Sequence, residues 1–369
     1  MVLEQLLIAG LSVIILPPLM ERIGINVRAG EVIAGVLLTT FTSGLVTGEW
    51  LGSLAEIGLI VLMFEMGLDI DLEEVKDTFR QSMIYGALSF GVPFVLTMLA
   101  GLYFLQDLMM SFVVASGLSA SSLAVVSPII RDKDVGASIL ENVVMISEAL
   151  GVTFLVAFVK GQGASSVSLP VQAFTIIGFV AFLVFVLPKL VEKLKVLHVK
   201  DVIEFETKLI LFLVVLMALI SEELGIHAAT GAFLTGIFFS ETTHRGLELE
   251  DRLEPVLELF TPLFFLHIGT MMAPASVTPE VIYLSAGLAA LIYAGRFISF
   301  GVVSRITEGE FHPEYVSLLA PSITISATAA SIGMDTGVLT EQVFSGLIFA
   351  GLFLTVIGPL GFNWMKKLD

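Results

Sequence analysis

An all-α polytopic membrane protein is the fold class the sequence predicts. Three observations carry it: a mean hydropathy of +0.97, a charged fraction of 14%, and long apolar runs separated by short clusters of charge, Gly and Pro over 369 residues. Soluble domains carry about 25% charged residues, and one spanning helix needs roughly 20 apolar residues in succession. A soluble globule is therefore excluded. Eighteen basic against 35 acidic residues give a net charge of −17, which excludes a basic nucleic-acid face. Cysteine is absent, so a disulfide framework, a thiolate metal site and a Cys nucleophile are excluded as well.

Taken in order, the apolar runs predict thirteen spans at about 2–20, 29–46, 51–68, 81–104, 108–130, 138–159, 168–188, 205–222, 226–240, 254–272, 280–304, 314–334 and 342–364. The first lacks a basic n-region and a small-residue cleavage pattern, so it is read as a span and not as a removable signal. Basic residues collect in cytoplasmic loops, which tests the division independently. Sixteen of the eighteen Lys and Arg fall in alternate loops on one side, Lys160 falls alone on the other, and Arg296 falls in neither. That split places the N-terminus outside and the C-terminus in the cytoplasm of a cell-membrane protein.

Spans two and nine share a pattern. Gly30-Glu-Val-Ile-Ala-Gly35 in the former matches Gly231-Ala-Phe-Leu-Thr-Gly236 in the latter. Each is followed by a related span, with Leu62-Met-Phe-Glu-Met-Gly67 in the third and Leu263-Phe-Phe-Leu-His-Ile-Gly269 in the tenth. Both pairs are offset by about 201 residues, and partners seven spans apart cross the membrane in opposite directions. This is the inverted repeat of secondary transporters. Spans five and twelve also correspond and read as broken helices. The fifth runs Ala115-Ser-Gly-Leu-Ser-Ala-Ser-Ser-Leu-Ala-Val-Val-Ser-Pro128, the twelfth Ala320-Pro-Ser-Ile-Thr-Ile-Ser-Ala-Thr-Ala-Ala-Ser-Ile-Gly333. The hydroxyls of Ser119, Ser121, Ser122, Ser322, Thr324 and Ser326, with freed backbone carbonyls, offer neutral oxygen ligands that can replace an ion's hydration, and opposed half-helix ends add partial charges of both signs. Pro17, Pro18, Pro93 and Pro128 are read as kinks, and Pro321 as the start of the second break.

An ionisable group at bilayer depth costs about 2.5–3.5 kcal/mol even on the lenient insertion scale, so each is a functional candidate. Glu148, beside Ser147, lies near the centre of span six, and Arg296 lies in span eleven. These spans flank the broken pair in sequence, so the expectation is that carboxylate and guanidinium share one cavity. Glu65 and His267 stand two residues before Gly67 and Gly269, in neighbouring columns of the repeat, and are accessory proton-carrying candidates. Glu141 shares a helical face with Glu148 but lies close to the cytoplasmic end, where it suits a funnel or interface.

Three motifs then carry a likeness: Arg22-Ile-Gly-Ile-Asn-Val-Arg-Ala-Gly-Glu-Val-Ile-Ala-Gly-Val-Leu-Leu, Leu54-Ala-Glu-Ile-Gly-Leu-Ile-Val-Leu-Met-Phe-Glu-Met-Gly-Leu-Asp, and Leu118-Ser-Ala-Ser-Ser-Leu-Ala-Val-Val-Ser-Pro-Ile-Ile-Arg. They resemble the sodium/hydrogen exchanger domain of the monovalent cation:proton antiporter-2 family, over essentially the whole chain. The resemblance implies a thirteen-helix fold and a homodimer in the lipid bilayer. Its dimerisation panel would take residues 1–75 and 200–275, its elevator-type transport core residues 80–160 and 280–367, and a linker helix and loop residues 165–200. By position, Glu148 matches the family's ion- and proton-binding aspartate, and Ser147 the Asp, Asn or Gln before it. Ser121 and Ser122 match a Thr-Ser of the first broken helix, and Arg296 matches a basic residue that is often Lys. Ser-Glu thus replaces the usual acid pair. The sequence ends at Asp369, just after the last span, so a cytoplasmic nucleotide-binding domain is not expected.

The function this implies is exchange of Na⁺ or K⁺ for H⁺ at Glu148. With one titrating carboxylate and an arginine that cannot serve as a second proton carrier, electroneutral exchange is expected, with no cofactor beyond the transported ions. Two other readings stand beside it: a cation-coupled symporter of a small organic anion, with Arg296 as carboxylate receptor, and a non-transporting membrane sensor. An enzyme is not expected, because no nucleophile–base or metal-ligand spacing occurs at either membrane face.

Overall fold

The structure, a computed structural model, describes residues 2–42, 49–69, 79–123, 137–159, 202–224, 227–242, 246–272, 278–307 and 313–365, together with positions 125, 126, 129, 178 and 182. Among the described residues every extended element is helical and no strand occurs. The helices are α1 (Val2–Glu21), α2 (Val27–Thr42), α3 (Glu49–Leu68), α4 (Phe79–Phe104), α5 (Leu108–Ser119), α6 (Ala137–Val159), α7 (Val202–Glu223), α8 (Ala228–Thr242), α9 (Gly246–Met271), α10 (Pro279–Thr307), α11 (Pro313–Leu318), α12 (Ile323–Asp335) and α13 (Glu341–Met365). Helix occupies each predicted stretch except the seventh, 168–188, which apart from 178 and 182 lies outside the described residues, as do most of the 165–200 linker and Pro128.

Several elements run past their predicted ends, α9 furthest. Helix α9 begins eight residues before the apolar stretch at 254, in Gly246-Leu-Glu-Leu-Glu-Asp-Arg, and α10 continues to Thr307. Hydropathy marks only the part of a helix that needs lipid, whereas Glu, Leu and Arg are good helix formers in water. Pro17, Pro18 and Pro93 stand inside α1 and α4. Pro321 stands between α11 and α12, where the predicted second break is found.

The chain divides into two compact units, one formed by Met1–Gly52, Val75–Val159 and Phe265–Asp369, the other by Ser53–Glu74 and Lys160–Phe264. The first holds both segments expected for a transport core, and also α1, α2 and the last turns of α9. Here α4 packs on α5, α6 and α10, while α12 packs on α5 and α13. The ends of the two broken helices share an apolar cluster of Val126, Leu140, Val143, Val144, Leu318, Leu319 and Phe362. In the second unit α7 packs on α8, and Phe64 of α3 meets Phe239 of α8 edge to face.

Glycine determines how closely two helix pairs approach. Within the first unit a Cβ on Gly35 would stand 2.1 Å from the Leu266 carbonyl oxygen and 2.8 Å from Gly269 Cα, and one on Gly269 would stand 2.1 Å from the Val32 oxygen. Within the second, a Cβ on Gly67 would stand 2.2 Å from the Phe233 oxygen, and one on Gly236 would stand 2.2 Å from the Phe64 oxygen. Each crossing sets a glycine of the first pattern against one of the second, and each glycine meets the carbonyl three residues before its partner. Even one methyl overlaps backbone that cannot swing aside. Gly35→Ala and Gly236→Ala should therefore lower the apparent Tm in detergent, each by an overpacking cost of about 1–3 kcal/mol or more. Gly10→Ala, with nothing within 4 Å, should not, and equal melting of all three variants would contradict the close crossings.

Candidate functional site

The site forms where the two interrupted helices meet. In a continuous helix the Ser119 carbonyl would accept from the Leu123 N–H four residues on, but α5 ends at Ser119 and Ala120 is extended, at φ −74° and ψ 143°. Both severed groups find charged partners. Arg296 Nη2 donates to the Ser119 carbonyl at 3.0 Å, and the Leu123 N–H donates to Glu148 Oε2 at 3.1 Å. A cation thus sits at a helix C-terminal end and an anion at an N-terminal end, the placement that helix dipoles favour.

The second interruption severs the equivalent bond, Leu319 to Ile323, and closes it with neutral groups. The Leu319 carbonyl accepts from Ser121 Oγ at 2.9 Å, and the Ile323 N–H donates to Thr355 Oγ1 at 3.2 Å. The chains also join directly, the Ser122 N–H donating to the Pro321 carbonyl at 2.9 Å. Around this crossing the predicted hydroxyls form a buried network. Ser122 and Thr324 are bonded at 2.8 Å, and Ser326 Oγ donates to the Gly117 carbonyl at 3.2 Å and lies 3.3 Å from Ser322 Oγ. Ser147 Oγ accepts from the Ser121 N–H at 3.2 Å.

Glycines let neighbouring helices reach these breaks. A Cβ on Gly151 of α6 would stand 2.5 Å from the Ala120 Cβ, and one on Gly358 of α13 would stand 2.7 Å from the Ser317 carbonyl and 2.8 Å from Pro321. Each glycine lies three residues after a capping side chain, Glu148 on α6 and Thr355 on α13. Arg296 is brought in by α10, where Gly295 packs against Pro93 of α4 with 2.7 Å between a built Cβ and Pro93 Cα. Pro93 has no N–H for the Ser89 carbonyl four residues earlier; one residue before that, the Leu88 carbonyl accepts from Ser299 Oγ at 2.8 Å. Ser89 Oγ accepts from Arg296 Nη1 at 3.0 Å.

Arg296 is fully buried. Besides Ser89 and Ser119, its Nη1 donates to Ser121 Oγ at 2.8 Å, so one guanidinium joins α4, the end of α5 and, through Ser121, the Leu319 carbonyl. None of its hydrogen bonds goes to Glu148, which stands at the opposite half-helix end. The two charges make no hydrogen bond to each other; each serves one of the severed backbone groups. Glu148 is 7% exposed, and Ser119, Ser121, Ser122, Ser147, Ser322 and Ser326 are fully buried. The Arg296 Nε, Ser119 Oγ and Ser116 Oγ atoms have no hydrogen-bond partner.

None of the hydrogen bonds just described involves the accessory candidates. Glu65 is half-buried in the second unit, on the α3 turn that meets α8. His267 is half-buried on α9, its ring 3.8 Å from where a Cβ on Gly52 would stand. Glu141 is half-buried on α6, two turns before Glu148. Ser89 and Thr355 were not foreseen. A signal for Thr355 exists in the sequence: Glu148 and Gly151 recur as Thr355 and Gly358, both 207 residues later.

Comparison with known proteins decides the family. The transmembrane sodium/hydrogen exchanger profile matches residues 8–367. The chain belongs to the sodium/hydrogen exchanger family. It is 26% identical over 368 residues to a probable Na⁺/H⁺ antiporter 3 of Methanocaldococcus jannaschii, covering 95% of this chain and 93% of that protein. To the Na⁺/H⁺-K⁺ antiporter GerN of Bacillus cereus it is 24% identical, covering 96% and 94%. Its fold matches the sodium proton antiporter MjNhaP1 of M. jannaschii with a TM-score of 0.75 at 14% identity, covering 100% of this chain and 98% of that one. The exchanger is thus a multi-helix membrane protein whose relatives are ion antiporters.

Replacing Arg296 by Lys keeps the charge but loses the fork that serves Ser89, Ser121 and the Ser119 carbonyl together. Arg296→Lys should destabilise the exchanger by about 1–3 kcal/mol, measured as a fall in apparent Tm, and should be non-additive with Ser121→Ala by more than ~0.5 kcal/mol. Strict additivity would show that the two side chains are not energetically joined.

Proposed function

We propose that this exchanger carries Na⁺ or K⁺ in one direction and H⁺ in the other, with Glu148 as the shared site. The observation that supports this reading is the capping of the Leu123 N–H by a buried carboxylate in a fold whose relatives are antiporters. A bare carboxylate resists transfer through low dielectric, whereas one neutralised by a proton or a monovalent cation can move. Competition of the two for Glu148 is the coupling. Ser147, Ser122, Thr324 and the unpartnered Ser119 hydroxyl supply neutral oxygens nearby, with Ser121, Ser322 and Ser326 ordering the network.

Arg296 holds the C-terminal end of α5 and takes no part in proton transfer. With one titrating group, each cycle moves one cation against one proton and is electroneutral. Its engagement with Ser89, Ser119 and Ser121 favours this reading over organic-anion symport, since both terminal nitrogens are committed to the protein. The reciprocal glycine crossings, Gly35 with Gly269 and Gly67 with Gly236, are what a two-fold relation between inverted repeats produces. We take them to support an alternating-access cycle of elevator type, in a cell-membrane homodimer with the N-terminus outside and the C-terminus cytoplasmic.

The test is dequenching of a pH-sensitive dye in proteoliposomes with an imposed pH gradient, on addition of Na⁺, K⁺ or Li⁺. Wild-type protein should dissipate the gradient with Na⁺ or K⁺, with no dependence on membrane voltage. Glu148→Gln, whose amide oxygen can still accept from Leu123, should keep its Tm and lose cation-dependent proton flux. Retained exchange in that variant would remove Glu148 from the mechanism, and failure of every alkali cation with wild-type protein would favour a non-transporting sensor.

A further inference from the structure

Outside the crossing helices, one carboxyl among the described residues of the first unit is buried as deeply as that of Glu148. Glu31, on the second turn of α2, is 4% exposed, and its Oε2 has no hydrogen-bond partner. Its helix is packed on several sides. Gly30 lies against α1, a built Cβ standing 3.0 Å from Pro17 Cα, and Val32 and Gly35 meet α9 at Gly269 and Leu266. Helix α2 also touches α12 and α13, which carry Thr324, Ser326 and Thr355.

The elements around α2 carry Glu4 and Glu21 on α1, His267 on the part of α9 in this unit, Asp335 on α12 and Glu341 on α13. Arg28 lies one turn earlier on α2 itself. The Arg28 guanidinium lies over the Phe265 ring, 5.4 Å from its centroid. An ionised carboxylate with an unserved oxygen is strongly disfavoured at such a place, whereas a protonated one is tolerated. Among the described residues inside the predicted spans, Glu31 is also an acid that the exchange mechanism does not use.

We propose that Glu31 is a second proton-binding site, and that its proton holds α2 in the packed position seen here. Loss of the proton leaves a charge that needs water, so α2 must loosen from α9, α12 and α13 to hydrate it. The group is protonated in the packed state; low pH therefore favours this conformation, and rising pH favours those in which Glu31 is wet. In an exchanger this makes Glu31 a pH-sensitive brake, on at acid pH and released at alkaline pH. The transport consequence rests on the exchange reading, and the proton site itself does not.

Two measurements separate them. In wild-type protein, a hydrophobic carbodiimide, which reacts with protonated buried carboxyls, should label the peptide containing Glu31 at low pH, with labelling lost as pH rises. Infrared difference spectra between acid and alkaline pH should show a protonated-carboxyl C=O band that disappears in Glu31→Gln. Absence of both would overturn the proposal whatever the protein transports. In proteoliposomes, Glu31→Gln, fixed in the neutral form, should lose the rise of exchange rate with pH while its cation KM at acid pH stays that of wild type. A Gln variant whose pH profile parallels wild type at a reduced rate would show a structural role only and would overturn the brake. Flux absent in wild type, with labelling present, would instead sink the exchange reading and leave the proton site standing.

Discussion

A severed backbone hydrogen bond organises this protein. The Ser119 carbonyl and the Leu123 N–H, which a continuous helix would join, are parted in a buried setting where neither can stay unserved; each orphaned group costs about 1–3 kcal/mol. Arg296 answers the carbonyl and Glu148 the amide. Each charge thereby gains a reason to be buried, and each half-helix end gains a countercharge. The paired break at Leu319 and Ile323 solves the same problem with the hydroxyls of Ser121 and Thr355. The two breaks share one geometry, and among the described residues the charged partners serve the first of them.

Much of the surrounding architecture serves that arrangement. Gly151 and Gly358 bring α6 and α13 against the breaks so that Glu148 and Thr355 can reach the freed amides. Gly295 seats α10 on the proline turn of α4, which delivers Arg296 to the end of α5 and exposes Ser89 to it. Ser121 joins the breaks, accepting from Arg296 and donating to Leu319. A change in the charge of Glu148 is therefore felt at the N–H of a half-helix directly linked to the second one. On the proposed reading, binding of a cation or a proton at Glu148 is connected to helix position through the backbone itself.

The fold was legible because lipid imposes a length and a polarity on every span. The breaks were legible too, since Ser, Gly and Pro at mid-membrane depth have few other uses. What the sequence concealed was the choice of partners: Arg296 serves the Ser119 carbonyl and Glu148 the Leu123 N–H, with no hydrogen bond between the two charges. Thr355 was hidden because a lone membrane Thr resembles a packing residue; only its position three residues before Gly358, echoing Glu148 and Gly151, marks it. Ser89 carries no sequence signal apart from Pro93 four residues later. The over-long helix α9 shows the converse limit: hydropathy reports the apolar part of a helix and is silent on a polar extension of it.

The central claim is that the carboxylate capping the first broken helix is the place where cation and proton compete. Anomalous scattering from crystals grown with Rb⁺ or Tl⁺ in place of Na⁺ or K⁺ tests it most directly. At alkaline pH the anomalous peak should lie in direct coordination with the Glu148 carboxylate beside the Ser122–Thr324 hydroxyl pair, and it should vanish on acidification or in Glu148→Gln. A peak at another carboxylate, or one at Glu148 that survives acidification, would contradict the account.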